Sequence, residues 1–326
     1  MQVHASFLRA VVITVLGTAL FAEAAMAEKY PLRPVRIVTS SPAGSSGDVM
    51  IRLVAQRLSE EYGQQFIVDN RTGGSGVVAA QAVARANSDG HTLLFTGPNL
   101  ATMPGLFSEL PFDPARDFRG VSEVGIVQTA LVVNPSIGTR TVKDFIQLAK
   151  TKAGRLTFGS AAGGSGGRLS MEMFMRTAGI SLMHVPYRGG PQALTGVLTG
   201  EIDATFTGVP PVISHVKQGR LAALVVSGDK RSNVLPDVPS LAEVGLGAVD
   251  VETWFGLLAP ARTDATLVSH LGKSVSAIVQ EREVAGRILD QGTLPTGTSA
   301  NAFEKKYRRE IARWPRLVRE WGIKPD

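Results

Sequence analysis

The amino-acid sequence predicts an α/β protein of two lobes, each a mainly parallel sheet flanked by helices, joined by two crossing hinge strands. Short apolar runs of strand type alternate with helical periodicity, the pattern of parallel strands with helical connections. The order strand, small-residue loop, helix, strand, glycine turn, helix, strand occurs twice. Two further apolar segments are placed to leave the first lobe and to return to it, and a double crossing makes a hinge rather than a linker.

The first unit opens with VRIVTS (35–40), the loop SPAGSSGD (41–48) and the helical MIRLVAQRLSEEYG (50–63). QFIVDN (65–70) is its second strand, RTGGSG (71–76) a glycine turn, VVAAQAVARAN (77–87) a helix and TLLFTG (92–97) the third strand. The second unit reads LTFGS (156–160), AAGGSGG (161–167), RLSMEMFMRTAG (168–179), SLMHVPY (181–187), RGGP (188–191), QALTGVLTG (192–200) and DATFTG (203–208). Residues 121–135 read as the outgoing crossing strand and VETWFGLLAP (251–260) as the returning one. The stretch 263–321 is helical and charged, and its Trp314 and Trp321 are expected to pack on the first lobe. These limits assign residues 28–126 plus 255–326 to lobe 1 and 127–254 to lobe 2.

A chain of 326 residues with 44% apolar and 19% charged residues can bury a sizeable core. Arg9, the apolar run 10–21 and Ala25-Met26-Ala27 read as a secretory signal peptide, residues 1–27, too short to span a membrane. The mature chain is therefore expected to be soluble and exported, and it is read as a monomer. It has no cysteine, which excludes disulfides, thiolate metal sites, cysteine nucleophiles and a lipid-anchoring cysteine. The five histidines are dispersed without ligand spacing, so no metal is expected. No cofactor is expected either, because neither glycine-rich loop carries the G-K-[ST] ending of a phosphate-binding loop or a G-x-G-x-x-G fingerprint. The net charge of +6 draws small anions. The 34 Lys and Arg are scattered without a block or stripe, which argues against nucleic acid.

The loops after the first strand of each unit carry the chemistry. In open α/β sheets ligands bind beyond the carboxyl ends of the strands, where loops feed helix N-termini with unpaired backbone N–H groups. Two such sheets facing each other make a cleft lined from both sides. Ser45 and Ser46 are capping residues whose hydroxyls also suit a polar ligand, and Asp48 opens the helix that follows. Asn70 and Arg71 precede the second glycine loop as turn residues. Arg168 stands in the first turn of its helix, where a cation opposes the macrodipole. Pairing with a ligand carboxylate supplies a reason for it. Gly163–Gly167 also satisfies G-x-S-x-G, so an exported serine hydrolase using Ser165, with Asp203 or Asp229 and His215 or His270, stands as the alternative. Small residues intervene between strand and serine, unlike a nucleophile elbow.

YPLRPVRIV, SPAGSSGD, VDNRTGGSG, SDGHTLL, ELPFDPARDF, HVPYRGG, LPDVPSLAEVGL and WFGLLAP together resemble the tripartite tricarboxylate transporter substrate receptors, also called Bug receptors. The resemblance runs through nearly the whole mature chain. It implies the type II-like periplasmic-binding-protein fold and a receptor that captures a small organic carboxylate and presents it to a two-component membrane permease. A receptor feeding a signalling partner is the variant reading. Carried over by motif, Gly44 and Ser46 match the first loop, Gly73 and Ser75 the second, and Thr96 and Asn99 the strand-end loop. Ser160, Gly164 and Ser165 match the second-lobe loop, and Asp203 the acid of that lobe. Departures are Ser41 for an aromatic, Ala43 for a proline, Ser45 for a glycine, His91 for a tyrosine, and Arg168 for the histidine that usually opens the second-lobe helix.

Overall fold

The computed structural model describes residues 30–160, 164–187, 189–249 and 251–324. Residues 1–27, read from the sequence as a signal peptide, and Gly163 lie outside the described residues. In the first unit the repeated order is β1 (Val35–Thr39), α1 (Ser46–Tyr62), β2 (Phe66–Asn70), α2 (Val77–Ala84) and β3 (Thr92–Thr96), followed by α3 (Asn99–Leu106). The outgoing crossing is β4 (Phe118–Val127) and β5 (Thr129–Val133), and α4 (Val142–Thr151) follows. The second unit is β6 (Thr157–Ser160), α5 (Gly166–Ala178), β7 (Met183–Pro186), α6 (Gly190–Thr199) and β8 (Ala204–Gly208), then β9 (Ala222–Val226). The chain returns through β10 (Thr253–Pro260) and ends with α7 (Ala265–Gln280), α8 (Arg282–Asp290), β11 (Thr293–Pro295) and α9 (Ala300–Glu320).

The sheets run β11-β4-β10-β3-β1-β2 and β7-β6-β8-β5-β9. The repeat is therefore topological: in each unit the first strand sits between the second and third, parallel to both. The expectation of mainly parallel sheets holds for these units and fails beyond them. β10 is antiparallel to β3 and β4, and β5 is antiparallel to β8 and β9. The reason lies in the crossing itself. A strand that enters a sheet from the other lobe arrives at the carboxyl edge of the repeated strands and so runs against them. It follows that the carboxyl edges of both parallel sets face the crossing point.

Alternation along the strands fixes the layers. Val35, Ile37, Leu93 and Phe95 point to one core with α1, α7 and α8, whereas Val38 and Leu94 point to the other with α2, α3 and α9. In the second sheet Leu131, Val133, Phe158 and Phe206 pack against α4 and α5, and Ala130 and Val132 against α6. The terminal helix reaches beyond the first lobe. Trp314 and Trp321 belong to a cluster that holds Ala101 and Leu106 of α3 together with the core of the second sheet, and the Arg176 guanidinium on α5 lies 5.2 Å from the Trp321 ring centroid. The same helix meets α3, since a Cβ on Gly105 would stand 2.8 Å from the Pro315 backbone. Helix α9 thus spans both lobes, because its apolar face is long enough to cover a junction rather than one sheet.

Candidate functional site

The first-lobe loops follow β1, β2 and β3, adjacent strands of one sheet, so they emerge side by side at its carboxyl edge. Ser45 caps α1 by accepting a hydrogen bond from the Asp48 N–H at 3.4 Å, and Ser46 is the first helical residue. Asp48 is 3% exposed. Its carboxylate accepts from the Gly44 N–H at 2.9 Å, the Asn70 amide at 2.8 Å and Arg52 Nε at 3.0 Å. Burial alone pushes its carboxyl up, but the bonds from Arg52, Asn70 and Gly44 hold it below the ordinary carboxylate value. Asn70 also donates to the Ser41 carbonyl at 2.9 Å. Asp48 and Asn70, read from the sequence as capping and turn residues, therefore lock the first loop to the second.

Residues 73–76 all have positive φ, and Ser75, at 53°, is the only described non-glycine residue that does. Such a residue costs of order 1–3 kcal/mol and persists only where its surroundings impose it. Asn99 supplies the restraint, donating from Nδ2 to the Ser75 carbonyl at 3.0 Å, while Thr96 donates to Asn99 Oδ1 at 3.2 Å. Gly76 must be bare, because a Cβ there would meet Asn99 Nδ2 at 2.4 Å. Gly44, Ser45, Ser46, Gly73, Ser75, Thr96 and Asn99 thus lie on three neighbouring loops of one edge.

On the second lobe Ser165 caps α5, accepting from the Arg168 N–H at 3.3 Å. Its hydroxyl stands at the helix terminus, and His270 of the hydrolase alternative lies in the first lobe, edge-on to Tyr62 at 5.8 Å. The glycines around Ser165 have a concrete cause. A Cβ on Gly164 would meet Thr102 Oγ1 at 2.4 Å, one on Gly166 would meet Thr253 Oγ1 at 2.4 Å, and one on Gly167 the Phe206 carbonyl oxygen at 2.3 Å. Thr102 is on α3 and Thr253 begins β10 of the first sheet, so two of these contacts join the second-lobe loop to elements of the first sheet's layers. Thr102 also donates to the Asn99 carbonyl at 2.9 Å, which puts the second-lobe loop beside the first-lobe set.

Arg168 is placed differently from expectation. Its side chain is 12% exposed, its Nη2 meets Glu172 Oε1 at 2.7 Å, and its guanidinium lies 5.1 Å from the centroid of the buried Phe158 ring. The carboxylate that accounts for a cation in this first turn is Glu172, one turn along the same helix. Asp203 lies apart from the loop set. It precedes β8 and accepts from the Thr157 N–H at 2.7 Å and the Thr157 hydroxyl at 3.0 Å, latching the amino ends of β6 and β8. A strand of five residues separates it from the carboxyl edge, about 16 Å at ~3.3 Å per residue.

Ser160, 2% exposed at the end of β6, shares a hydrogen bond of 2.9 Å with His184 Nε2 on β7. Burial, and then the nearby Arg168 charge, push the His184 pKa down to about 4. The folded protein therefore binds fewer protons than the unfolded chain between about pH 6.5 and 4. The corresponding stability, up to about 3 kcal/mol, is complete above that window and is lost as pH falls through it. Wild-type melting temperature is expected to drop across this window more steeply than that of His184→Gln. Parallel curves would remove His184 as the cause.

An open groove of about 570 Å³ between α1 and the edge strand β2, lined by Arg52, Ser59 and Ile67 among others, holds none of these site residues. Among the described residues no group of three or more His, Asp or Glu is placed to hold a metal ion. No described helix is long and apolar enough to cross a membrane.

Comparison with known proteins matches residues 50–323 to the receptors of the tripartite tricarboxylate transporter family. Protein BugT of Bordetella pertussis is 32% identical over 319 residues, 97% of this chain and 98% of that protein. A solved R. palustris protein with adipate is 32% identical with a TM-score of 0.82, covering 90% of this chain and 99% of the other. MatC from Rhodopseudomonas palustris with bound malate is 27% identical with a TM-score of 0.78, covering 89% of this chain and 100% of the other.

Proposed function

The chain belongs to the receptor family of the tripartite tricarboxylate transporters, and from that premise we propose that it is a non-enzymatic periplasmic receptor for a small organic carboxylate. It closes two lobes on the ligand and delivers it to a two-component membrane permease. The observation that carries the reading is the placement of serine-capped helix starts, Ser45 on α1 and Ser165 on α5, at the carboxyl edges that face the crossing strands. Charged side chains at these helix starts are matched internally, Asp48 by Arg52 and Arg168 by Glu172. A carboxylate there is recognised by backbone N–H groups and by the hydroxyls of Ser45, Ser46, Thr96 and Ser165, with Asn99 and the 73–76 turn shaping the first-lobe side. Gly44, Gly73 and Gly164 admit the ligand to bare backbone, and Ser160 supports the second-lobe wall through His184. The side chains of Arg168 and Asp203 are not among the contacts. Closure follows only from a ligand that touches both lobes, since equal affinity for the open and closed forms shifts nothing.

A thermal-shift screen of aliphatic, aromatic and amino-acid carboxylates, adipate and malate among them, tests this against the matched amides. A carboxylate at a hundred times its Kd is expected to stabilise the protein by about 2.7 kcal/mol. Silence from every carboxylate, or equal shifts from the amides, would overturn the reading.

A further inference from the structure

The basic residues that look scattered in the sequence are gathered by the terminal helix. The 21 residues of α9 hold seven Lys and Arg against three Glu, so this one helix carries +4 of the chain's net +6. Lys305, Arg309, Arg316 and Arg319 are exposed, and at 100° per residue they fall within about a third of the helix circumference. The row extends about 21 Å at ~1.5 Å per residue. Ala312 is the exposed position between them, and the exposed Asn301, Ala302 and Glu320 flank the row at the two ends of the helix. The opposite face, with Phe303, Tyr307, Trp314 and Val318, is buried in the body of the protein, so the stripe is held rigid and turned outward. Arg309 pairs with Glu310 at 3.6 Å and Arg316 with Glu320 at 3.7 Å, and with all three Glu counted the helix still carries +4.

We infer that this face of α9 is an electrostatic docking surface for an anionic phospholipid headgroup layer. The composition of the stripe selects that occupant over an acidic protein. Specific protein interfaces centre on aromatic or aliphatic anchors that enter pockets, and the exposed large apolar side chains Leu32, Ile67, Val78, Met183 and Leu294 all lie off α9. Positive charge set among small and polar side chains fits a diffuse, fluid layer of negative headgroups, where each Lys or Arg near the surface adds attraction without a shaped partner. Attraction of this kind is screened by salt. The surface does not depend on which solute is bound, so its test is separate from that of the receptor reading.

The experiment is co-sedimentation of the mature protein with vesicles of phosphatidylcholine alone or mixed equally with phosphatidylglycerol. Binding is expected to the mixed vesicles only, and to disappear in high salt. The variant Lys305→Glu/Arg309→Glu/Arg316→Glu is expected to lose at least about tenfold in vesicle partition, with its melting temperature unchanged. A control with the same charge change on other exposed positions, Arg140→Glu/Lys143→Glu/Lys150→Glu, is expected to bind as the wild type does. Absence of binding to the anionic vesicles overturns the inference, and so does persistence of wild-type binding in high salt. Equal losses in the two triple variants overturn it as well, because binding would then follow net charge and not the stripe.

Discussion

Arg168→Ala is expected to lower the unfolding free energy by about 3–5 kcal/mol, the usual cost of removing one partner from a buried ion pair. Both side chains are shielded, at 12% exposure for Arg168 and 10% for Glu172, so the orphaned carboxylate has little water to turn to. The pair draws no help from the helix itself. With the cation nearer the N-terminus it is oriented against the macrodipole and against the better order of an i,i+4 pair. Its worth comes from burial, from the Phe158 face and from the closeness of the two charges. The double variant Arg168→Met/Glu172→Leu removes both charges and keeps their volume, and it is expected to recover most of the loss in urea denaturation. Its affinity for a carboxylate is expected to stay within tenfold of wild type, about 1.4 kcal/mol, because the guanidinium is engaged by Glu172. An Arg168→Ala protein as stable as wild type would sink this account, and so would a double variant no better than the single.

The equivalent helix of the first lobe holds the reverse arrangement. Asp48 stands three residues after the capping Ser45, as Arg168 does after Ser165, and each is paired four residues on, with Arg52 and Glu172 respectively. The two lobes thus carry the same device with the charges exchanged. The sequence displayed the capping Ser45 and both helix starts, because a small-residue loop before an amphipathic run is a local signal, whereas the capping role of Ser165 emerged only in the structure. It did not display the pairings, since an i,i+4 partner on a helix is visible only once burial tells which face is inside. The repeat and the two crossing strands were legible for the same local reason. The antiparallel strands were not, because direction within a sheet is decided by where a strand enters. The glycines of residues 164–167 were legible as bare backbone, but what needs the space, Thr102, Thr253 and the Phe206 carbonyl, comes from segments distant in sequence. The basic stripe of α9 was hidden because a linear scan looks for runs, whereas a helix brings every third or fourth residue into line.

Lys306→Met is expected to cost a similar 3–5 kcal/mol, with a pH signature that marks its cause. Lys306 Nζ sits 2.5 Å from Glu123 on β4 and 2.5 Å from Glu252, immediately before β10. It therefore ties both crossing strands to α9. Glu123 is 3% exposed, and burial raises its pKa above the ordinary carboxylate value despite the pull of Lys306 beside it. Burial works the other way on Lys306, but the attraction of Glu123 and the bonds to both carboxylates outweigh it and hold the ammonium above its usual pKa. Without the cation the Glu123 pKa rises further, and the folded variant then binds protons that the unfolded chain has released. A raised carboxyl pKa contributes stability that is present below the unfolded value and is lost as pH rises through the folded one. The deficit of Lys306→Met relative to wild type is therefore expected to be larger at pH 8 than at pH 5, and Glu123→Gln in the same background is expected to flatten that dependence. Glu252, 44% exposed, contributes less, because solvent screens it. A deficit equal at both pH values would mean that the methionine disturbs packing and that the buried carboxylate is not what Lys306 holds in place.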